Sequence, residues 1–167
     1  MSRKKTAGQL IGPLRIDALV NGGNGIAREQ GRVIFVPGAF PGDVVLCRLR
    51  KEKKNFAEGE VVELLQASPL RREPLCPVAE ECGGCQWQQL PYAEQLRWKQ
   101  QLFTDTLRRQ AGVDPQLLQP IVPAADEWGY RSRAQLKCSH SAGRLISGFY
   151  RSRSRSVVEI DQCPLLA

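Results

Sequence analysis

Three cysteines, Cys76, Cys82 and Cys85, fall in the run C-P-V-A-E-E-C-G-G-C, and a fourth, Cys163, follows after 77 intervening residues with Pro164 behind it. Thiolates a few residues apart can face one centre, and a proline after the last ligand stiffens its loop, as in iron-sulfur and structural zinc sites. A fold that uses all four cysteines must close a long loop on itself. Gly83 and Gly84 remove Cβ atoms where a backbone would wrap around an inorganic cube and aim N–H groups at its sulfides.

A zinc site more often shows two short C-x2-C pairs, whereas here three cysteines cluster and the fourth is distant. An iron-sulfur cluster is therefore the leading reading, with structural zinc and ordinary thiols as the alternatives. The spacing C-x5-C-x2-C differs from the C-x3-C-x2-C of radical enzymes that use S-adenosylmethionine. Four cysteines also leave no iron open, so the cluster reads as structural. Cys47 and Cys138 lie in apolar-alternating contexts and read as plain buried thiols.

With 167 residues, 42% of them hydrophobic, the chain suits one medium domain or two small ones with real cores. The N-terminus, Met1-Ser-Arg-Lys-Lys, has no apolar leader, and no stretch approaches the roughly 18 apolar residues of a membrane span. A cytoplasmic protein without a membrane partner is expected, and in that reducing compartment clustered cysteines are metal ligands more often than disulfides. The 24 Lys and Arg against 17 Asp and Glu give a net charge of +7, which favours a polyanionic partner such as RNA. The excess lies mainly in residues 1–65 and 111–167 and spares the segment between them.

Between residues 11 and 65, five short β-prone runs are broken by N-G-G-N-G, Pro37-Gly38 and Pro41-Gly42, a spacing that predicts a small closed barrel of the oligonucleotide-binding type. The glycine run precedes another strand instead of opening a helix, so it does not read as a dinucleotide site. Lys51, Lys53, Lys54 and Phe56 lie between the last two predicted strands, where barrel loops meet a nucleic-acid backbone and an aromatic ring can stack on a base. The plain alternative is a solvated hairpin tip with Phe56 in the core. Residues 67–75 read as a proline-punctuated linker.

A helix is predicted over about 91–111, with Tyr92, Leu96, Phe103 and Leu107 on one face, Trp98 and Leu102 beside it, and Gly112 as its stop. That face reads as packing surface only partly covered within this chain. Strand patterns return at 130–138, 145–150 and 156–161. They would line up Arg131, Arg133, Lys137, Arg151, Arg153 and Arg155 as a phosphate-binding surface, although the R-S-R-S-R-S of 151–156 also suits a charge-protected edge strand. The single histidine, His140, has no catalytic partner, and no acid-base or hydrolytic constellation is present. The fold class is α+β, mainly β with one long helix. Its expected divisions are 1–66, 67–90, 91–112 and 113–167: barrel, linker with cysteine knuckle, helix, and a partial β-rich central domain.

The runs G-G-N-G-I-A-R, R-V-I-F-V-P-G-A-F-P-G-D-V-V, S-P-L-R-R-E-P-L-C and C-G-G-C-Q-W-Q-Q-L-P-Y-A-E-Q-L-R-W-K, continued by Y-R-S-R-A-Q-L-K and D-Q-C-P-L-L, cover nearly the whole chain. Together they resemble the N-terminal part of bacterial uracil-C5 RNA methyltransferases, closest to those that modify 23S ribosomal RNA and carry a TRAM domain followed by a 4Fe-4S cluster. The resemblance implies that Cys76, Cys82, Cys85 and Cys163 are the four cluster ligands and that residues up to about 65 form an RNA-holding TRAM barrel. In that family a cysteine adds to C6 of the uracil, C5 takes the methyl group of S-adenosylmethionine, and a base removes the C5 proton. Those residues and the S-adenosylmethionine loop belong to a C-terminal Rossmann-like domain that would be this chain's missing partner. None of the six cysteines matches the nucleophile, so the chain by itself is expected to be inactive and to bind no S-adenosylmethionine. A free-standing RNA-binding adaptor and a zinc-stabilised module with a protein partner are the rival classes.

Overall fold

The computed structural model describes residues 8–141 and 143–167. The basic run Arg3, Lys4 and Lys5, and Ala142 in the turn that follows Ser141, lie outside the described residues. The chain divides into two compact units, one of Met1–Arg71 with Ala93–Ile121, the other of Arg72–Tyr92 with Val122–Ala167.

Six strands build the sheet of the first unit: β1 (Leu10–Arg15), β2 (Ala18–Leu19), β3 (Gly25–Glu29), β4 (Arg32–Val36), β5 (Val44–Glu52) and β6 (Phe56–Gln66). They are ordered β1-β5-β6-β4-β3-β2, antiparallel except where β4 meets β6. Five strands are expected from the sequence; the sixth arises because the first run changes partners midway. The Ile16 N–H donates to the Asp43 carbonyl at 2.9 Å, and the next N–H, of Asp17, donates to the Ile26 carbonyl at 2.8 Å. The two outermost strands are thus consecutive in the chain, and the sheet rolls around one core.

Alternation along β5 sends Val45, Cys47 and Leu49 inward to meet Ile11, Leu14, Ile16, Ile34 and Val36, all buried. The N-G-G-N-G run forms the turn between β2 and β3. At its last glycine, Gly25, a Cβ would come within 2.4 Å of the Ala39 carbonyl oxygen, so only glycine allows this approach. β6 pairs with β4 only through residues 56–58, and from Gly59 to its end it pairs with β5 alone.

A buried carboxylate fastens the barrel's exit. Asp43 is fully buried and accepts from the Phe40 N–H at 2.6 Å, the Ser68 N–H at 2.8 Å, and the Arg71 Nε and Nη2 at 2.8 Å each. Arg71 also lies over the Phe40 ring, 4.7 Å from its centroid. The loop before β5 therefore binds the chain that leaves β6.

Helix α1 spans Tyr92–Ala111 and ends as read: Gly112 takes φ 65°, and the Val113 N–H caps the Leu107 carbonyl at 3.4 Å. Its side of the first unit continues through a 3-10 turn, Pro115–Leu117, and Gln100 ties the return strand through the Gln119 carbonyl and the Ile121 N–H. Trp98 is the buried side chain of the helix, whereas Phe103 is 53% exposed and Leu96 and Leu107 are half-buried. The inward face is thus rotated from the periodic stripe toward the larger aromatic residue. Among the described residues no helix is long and apolar enough to cross a membrane, which leaves β-barrel membrane proteins unaddressed.

The second unit holds a three-stranded antiparallel sheet, β7 (Lys137–Ser141), β8 (Arg144–Tyr150) and β9 (Val157–Glu159). Only the last two residues of the alternating 130–138 run enter β7. Upstream, the Arg131 N–H is taken by the Leu165 carbonyl at 2.8 Å, which draws that backbone to the C-terminal segment instead. The R-S-R-S-R-S run is a tight connection between β8 and β9, not an edge strand. Its ends meet through Arg151 N–H to the Ser156 carbonyl at 2.8 Å, and Arg153 adopts φ 56°.

Asp43→Ala would leave Arg71 and two buried N–H groups without an acceptor. We expect it to lower the stability of the chain by about 3 to 5 kcal/mol, measured by urea unfolding, with Asp43→Asn losing less.

Candidate metal centre and nucleic-acid surface

The cysteine knuckle of the second unit is a chain of tight turns. Cys76 opens it, the Ala79 N–H donates to the Cys76 carbonyl at 3.1 Å, and the Cys82 N–H donates to the Val78 carbonyl at 2.8 Å. Cys163 arrives in a turn closed by the Leu166 N–H on its own carbonyl at 3.0 Å. The Pro164 carbonyl accepts from Gly129, and Arg131 pairs with Leu166, so residues 129–131 hold the segment that carries the fourth cysteine.

Cys76, Cys82, Cys85 and Cys163 line one pocket, with Gln88, Arg131, Phe149 and Leu165 in its walls. The sulfurs are near enough to act on one another. Burial, first, and then the charges of Cys82, Cys163 and Cys76 push the Cys85 thiol above its ordinary range, against a hydrogen bond from Gln88 that lowers it. The residue types gathered around the pocket are those of a thiolate-held metal centre, but their spacing is not. Among the described residues no three Cys, His, Asp or Glu side chains form a group that would hold a metal ion.

Gly83 has a different task from the one read from the sequence. The Gly83 N–H donates to the Tyr150 carbonyl at 2.9 Å, and a Cβ there would stand 3.0 Å from that oxygen and 3.2 Å from the Ser152 Cα. Gly83 is thus required by the close approach of the hairpin. The Gly84 N–H faces the Cys82 sulfur at 3.4 Å, a contact with a cysteine and not with an inorganic sulfide.

The same approach fastens the arginine turn to the knuckle. Arg151 bridges Cys82 through the backbone, the Ser152 N–H donates to the Glu81 carbonyl at 3.1 Å, and the Arg151 guanidinium meets the Glu81 carboxylate at 2.6 Å. Arg131, Arg133, Arg151 and Arg153 are all exposed in this unit. Arg131 stacks over the Tyr130 ring at 5.8 Å, and Lys137, half-buried, lies 5.8 Å from the Tyr150 centroid.

In the first unit Lys51 is the penultimate residue of β5 and lies 3.6 Å from Glu58, while Lys53 and Lys54 occupy the exposed turn into β6, which the Lys53 N–H closes on the Phe56 carbonyl at 2.8 Å. Phe56 is half-buried and packs edge-on against Phe35, with ring centroids 5.7 Å apart.

Gln88 is the residue that sequence reasoning missed. It is 6% exposed, its Oε1 accepts from the Cys76 N–H at 3.2 Å, and its backbone carbonyl accepts from the Arg72 Nε at 2.9 Å. An amide three residues after the last clustered cysteine was the available signal, hidden among the polar residues of Q-W-Q-Q.

Residues 10–62 match the TRAM domain, so the first unit contains that module. The chain is 41% identical over 152 residues to an uncharacterized RNA methyltransferase of Thermosynechococcus vestitus, covering 91% of this chain and 34% of that protein. It is 43% identical over 151 residues to one from Bdellovibrio bacteriovorus, covering 90% and 37%. Among solved structures it resembles Pyrococcus abyssi tRNA (uracil-54, C5)-methyltransferase in complex with S-adenosyl-L-homocysteine, with a TM-score of 0.59 and 27% identity, covering 92% of this chain and 32% of that one. These matches show the resemblance to TRAM-bearing RNA methyltransferases that the sequence carries. The chain spans about a third of the length of the curated relatives it matches.

The two cysteines outside the pocket differ sharply. Cys138 is exposed, contrary to the buried thiol expected. Cys47 sits in the barrel core, and burial pushes its thiol up to about 11. A thiol reagent at pH 8 should therefore modify Cys138 in the folded chain and reach Cys47 only on unfolding. The raised value also means that folding keeps the Cys47 proton. Its contribution to stability is present below the unfolded value of 9.0 and is lost as pH rises toward about 11, which unfolding measured across that window checks.

Proposed function

We propose that this chain is the RNA-holding, 4Fe-4S-binding portion of an S-adenosylmethionine-dependent uracil-C5 methyltransferase acting on 23S ribosomal RNA. The observation that carries the reading is the gathering of four cysteines, the last after 77 intervening residues, around one pocket, with one of them, Cys82, bridged to the arginine turn. Three cysteines from one short knuckle and a fourth from a distant segment suit a cluster, in which each iron takes one thiolate, whereas zinc is more often held by two short pairs. When bound, the cluster supplies a rigid cross-link among its four ligands, with no open iron for catalysis.

The chain's own residues then present RNA-binding surfaces. Lys51, Lys53 and Lys54 at the tip of the TRAM barrel, and Arg131, Arg133, Arg151 and Arg153 in the second unit, are placed to meet phosphates. Phe56 serves that surface by holding the hairpin tip against Phe35, which supports the neighbouring lysines. The uracil nucleophile and the S-adenosylmethionine loop implied by the resemblance belong to the catalytic domain, the partner of this portion. The TRAM domain and the RNA methyltransferase relatives support RNA as the ligand.

Iron analysis after anaerobic purification should find about four irons per chain with absorption near 400 nm, both lost in Cys82→Ser. Stoichiometric zinc without iron would replace the cluster by the zinc reading. For RNA, replacing Lys51, Lys53 and Lys54 by alanine should weaken binding to 23S fragments and reduce the slope of log affinity against log salt by about 2.1 to 2.7. An unchanged slope would return the three lysines to a solvated hairpin tip.

A further inference from the structure

The second unit carries one tetrapeptide twice. Tyr130-Arg131-Ser132-Arg133 returns, residue for residue, as Tyr150-Arg151-Ser152-Arg153. The chain has three tyrosines, and these two are 57% and 42% exposed. The third, Tyr92, is half-buried, and its hydroxyl accepts the Ala124 N–H at 2.7 Å, as a packed tyrosine requires. Scattered exposed rings need no explanation, but here a repeat sets each ring beside the same arginine pattern.

The fold treats the two copies alike. A cation stands 5.8 Å from each ring centroid, the Arg131 guanidinium at Tyr130 and the Lys137 ammonium at Tyr150. Each copy is also fixed through its backbone. Gly129 and Arg131, on either side of Tyr130, donate their N–H groups to the Pro164 and Leu165 carbonyls at 2.9 and 2.8 Å. The Tyr150 carbonyl accepts from Gly83 at 2.9 Å, and the Arg151 N–H donates to the Ser156 carbonyl at 2.8 Å. A rigid aromatic on a pinned backbone loses little freedom when a flat ligand stacks on it. Both copies reach one place in the unit, since Arg131 and Phe149 line the same pocket. They differ in one respect: the Arg151 guanidinium meets the Glu81 carboxylate, whereas Arg131 has no carboxylate partner among the described residues.

We propose that the two Y-R-S-R segments are nucleotide-binding steps for unpaired RNA, Tyr130 and Tyr150 each stacking on a base while the arginine that follows meets a phosphate of the same strand. This deepens the RNA-holding reading given above and rests on it. Bases inside a duplex stack on one another and offer no free face, so exposed rings select single-stranded segments, loops or bulges. The arginines attract any strand, and the tyrosines supply the preference for an unpaired one. Arg131 is the stronger phosphate contact of the two, because Glu81 already neutralises Arg151.

The test measures binding of the full 167-residue chain to an unstructured RNA oligonucleotide and to an RNA duplex of the same length, by fluorescence anisotropy over a range of salt. The parent is compared with Tyr130→Ala, Tyr150→Ala, Tyr130→Phe and Arg131→Gln. We expect the parent to prefer the single strand, and each tyrosine-to-alanine change to weaken that complex by about 5- to 150-fold without altering its salt slope. Tyr130→Phe should keep the parental affinity, and Arg131→Gln should lower the slope by about 0.7. Because both rings are exposed, urea unfolding should stay as in the parent, which separates lost stacking from a lost fold. Alanine variants that bind as the parent does, or a parent that binds the duplex as tightly as the single strand, overturn the stacking role while the RNA-holding reading stands. A parent chain that binds neither RNA overturns that reading, and the stacking with it.

Discussion

The second unit depends on one close approach, that of the cysteine knuckle to the end of β8. Gly83 gives its N–H to Tyr150 and leaves no room for a side chain, Cys82 pairs with Arg151, and Glu81 takes both the Ser152 N–H and the Arg151 guanidinium. The irregular chain of the knuckle thus borrows a strand end as its scaffold. Without that contact the knuckle would have few backbone partners, since the Val78 and Cys76 carbonyls satisfy only its own turns. The cysteine pocket and the arginine turn are consequently one structure, and a proposed RNA contact at Arg151 shares its support with a proposed metal ligand at Cys82.

The two units solve a similar polar problem in different ways. In the barrel a fully buried carboxylate is surrounded by two N–H groups and a bidentate guanidinium, so its charge is matched on every side. In the knuckle a neutral amide does the corresponding work beside thiols, where a second negative charge would oppose ionisation of the sulfurs. Arg71 and Arg72, adjacent in the chain, serve these two groups separately: one binds Asp43, the other the Gln88 carbonyl. The R-R pair that reads as linker polarity in the sequence is thus structural on both counts.

Much of this was legible where a local rule has a single outcome. The strands 32–36 and 44–52, the helix with its Gly112 stop, and the pairing of β8 with β9 follow from alternation, periodicity and a capping glycine. The rest depended on partners distant in sequence. Alternation through 130–136 resembles a strand, but the Arg131 backbone finds Leu165 first. The serine-arginine repeat is equally suited to a strand or a turn, and the Cys82 bridge to Arg151 decides it. Periodicity names a helical stripe but not which side the largest ring will take, hence the burial of Trp98 and the exposure of Phe103. Gln88 was invisible because an amide's role is set by what surrounds it.

The way β6 outruns its second neighbour has a consequence for behaviour in concentrated solution. Among the described residues the strand has no second ladder partner beyond Gly59, and it carries Val62, Leu64 and Leu65 at 45%, 40% and 47% exposure. An open edge with apolar side chains is a template on which another chain can add a strand. Here Glu63, and Glu60 paired with Arg50, punctuate the same stretch, both exposed, and keep it from being continuously apolar. The acidic residues of an otherwise basic protein act there as gatekeepers against templated aggregation.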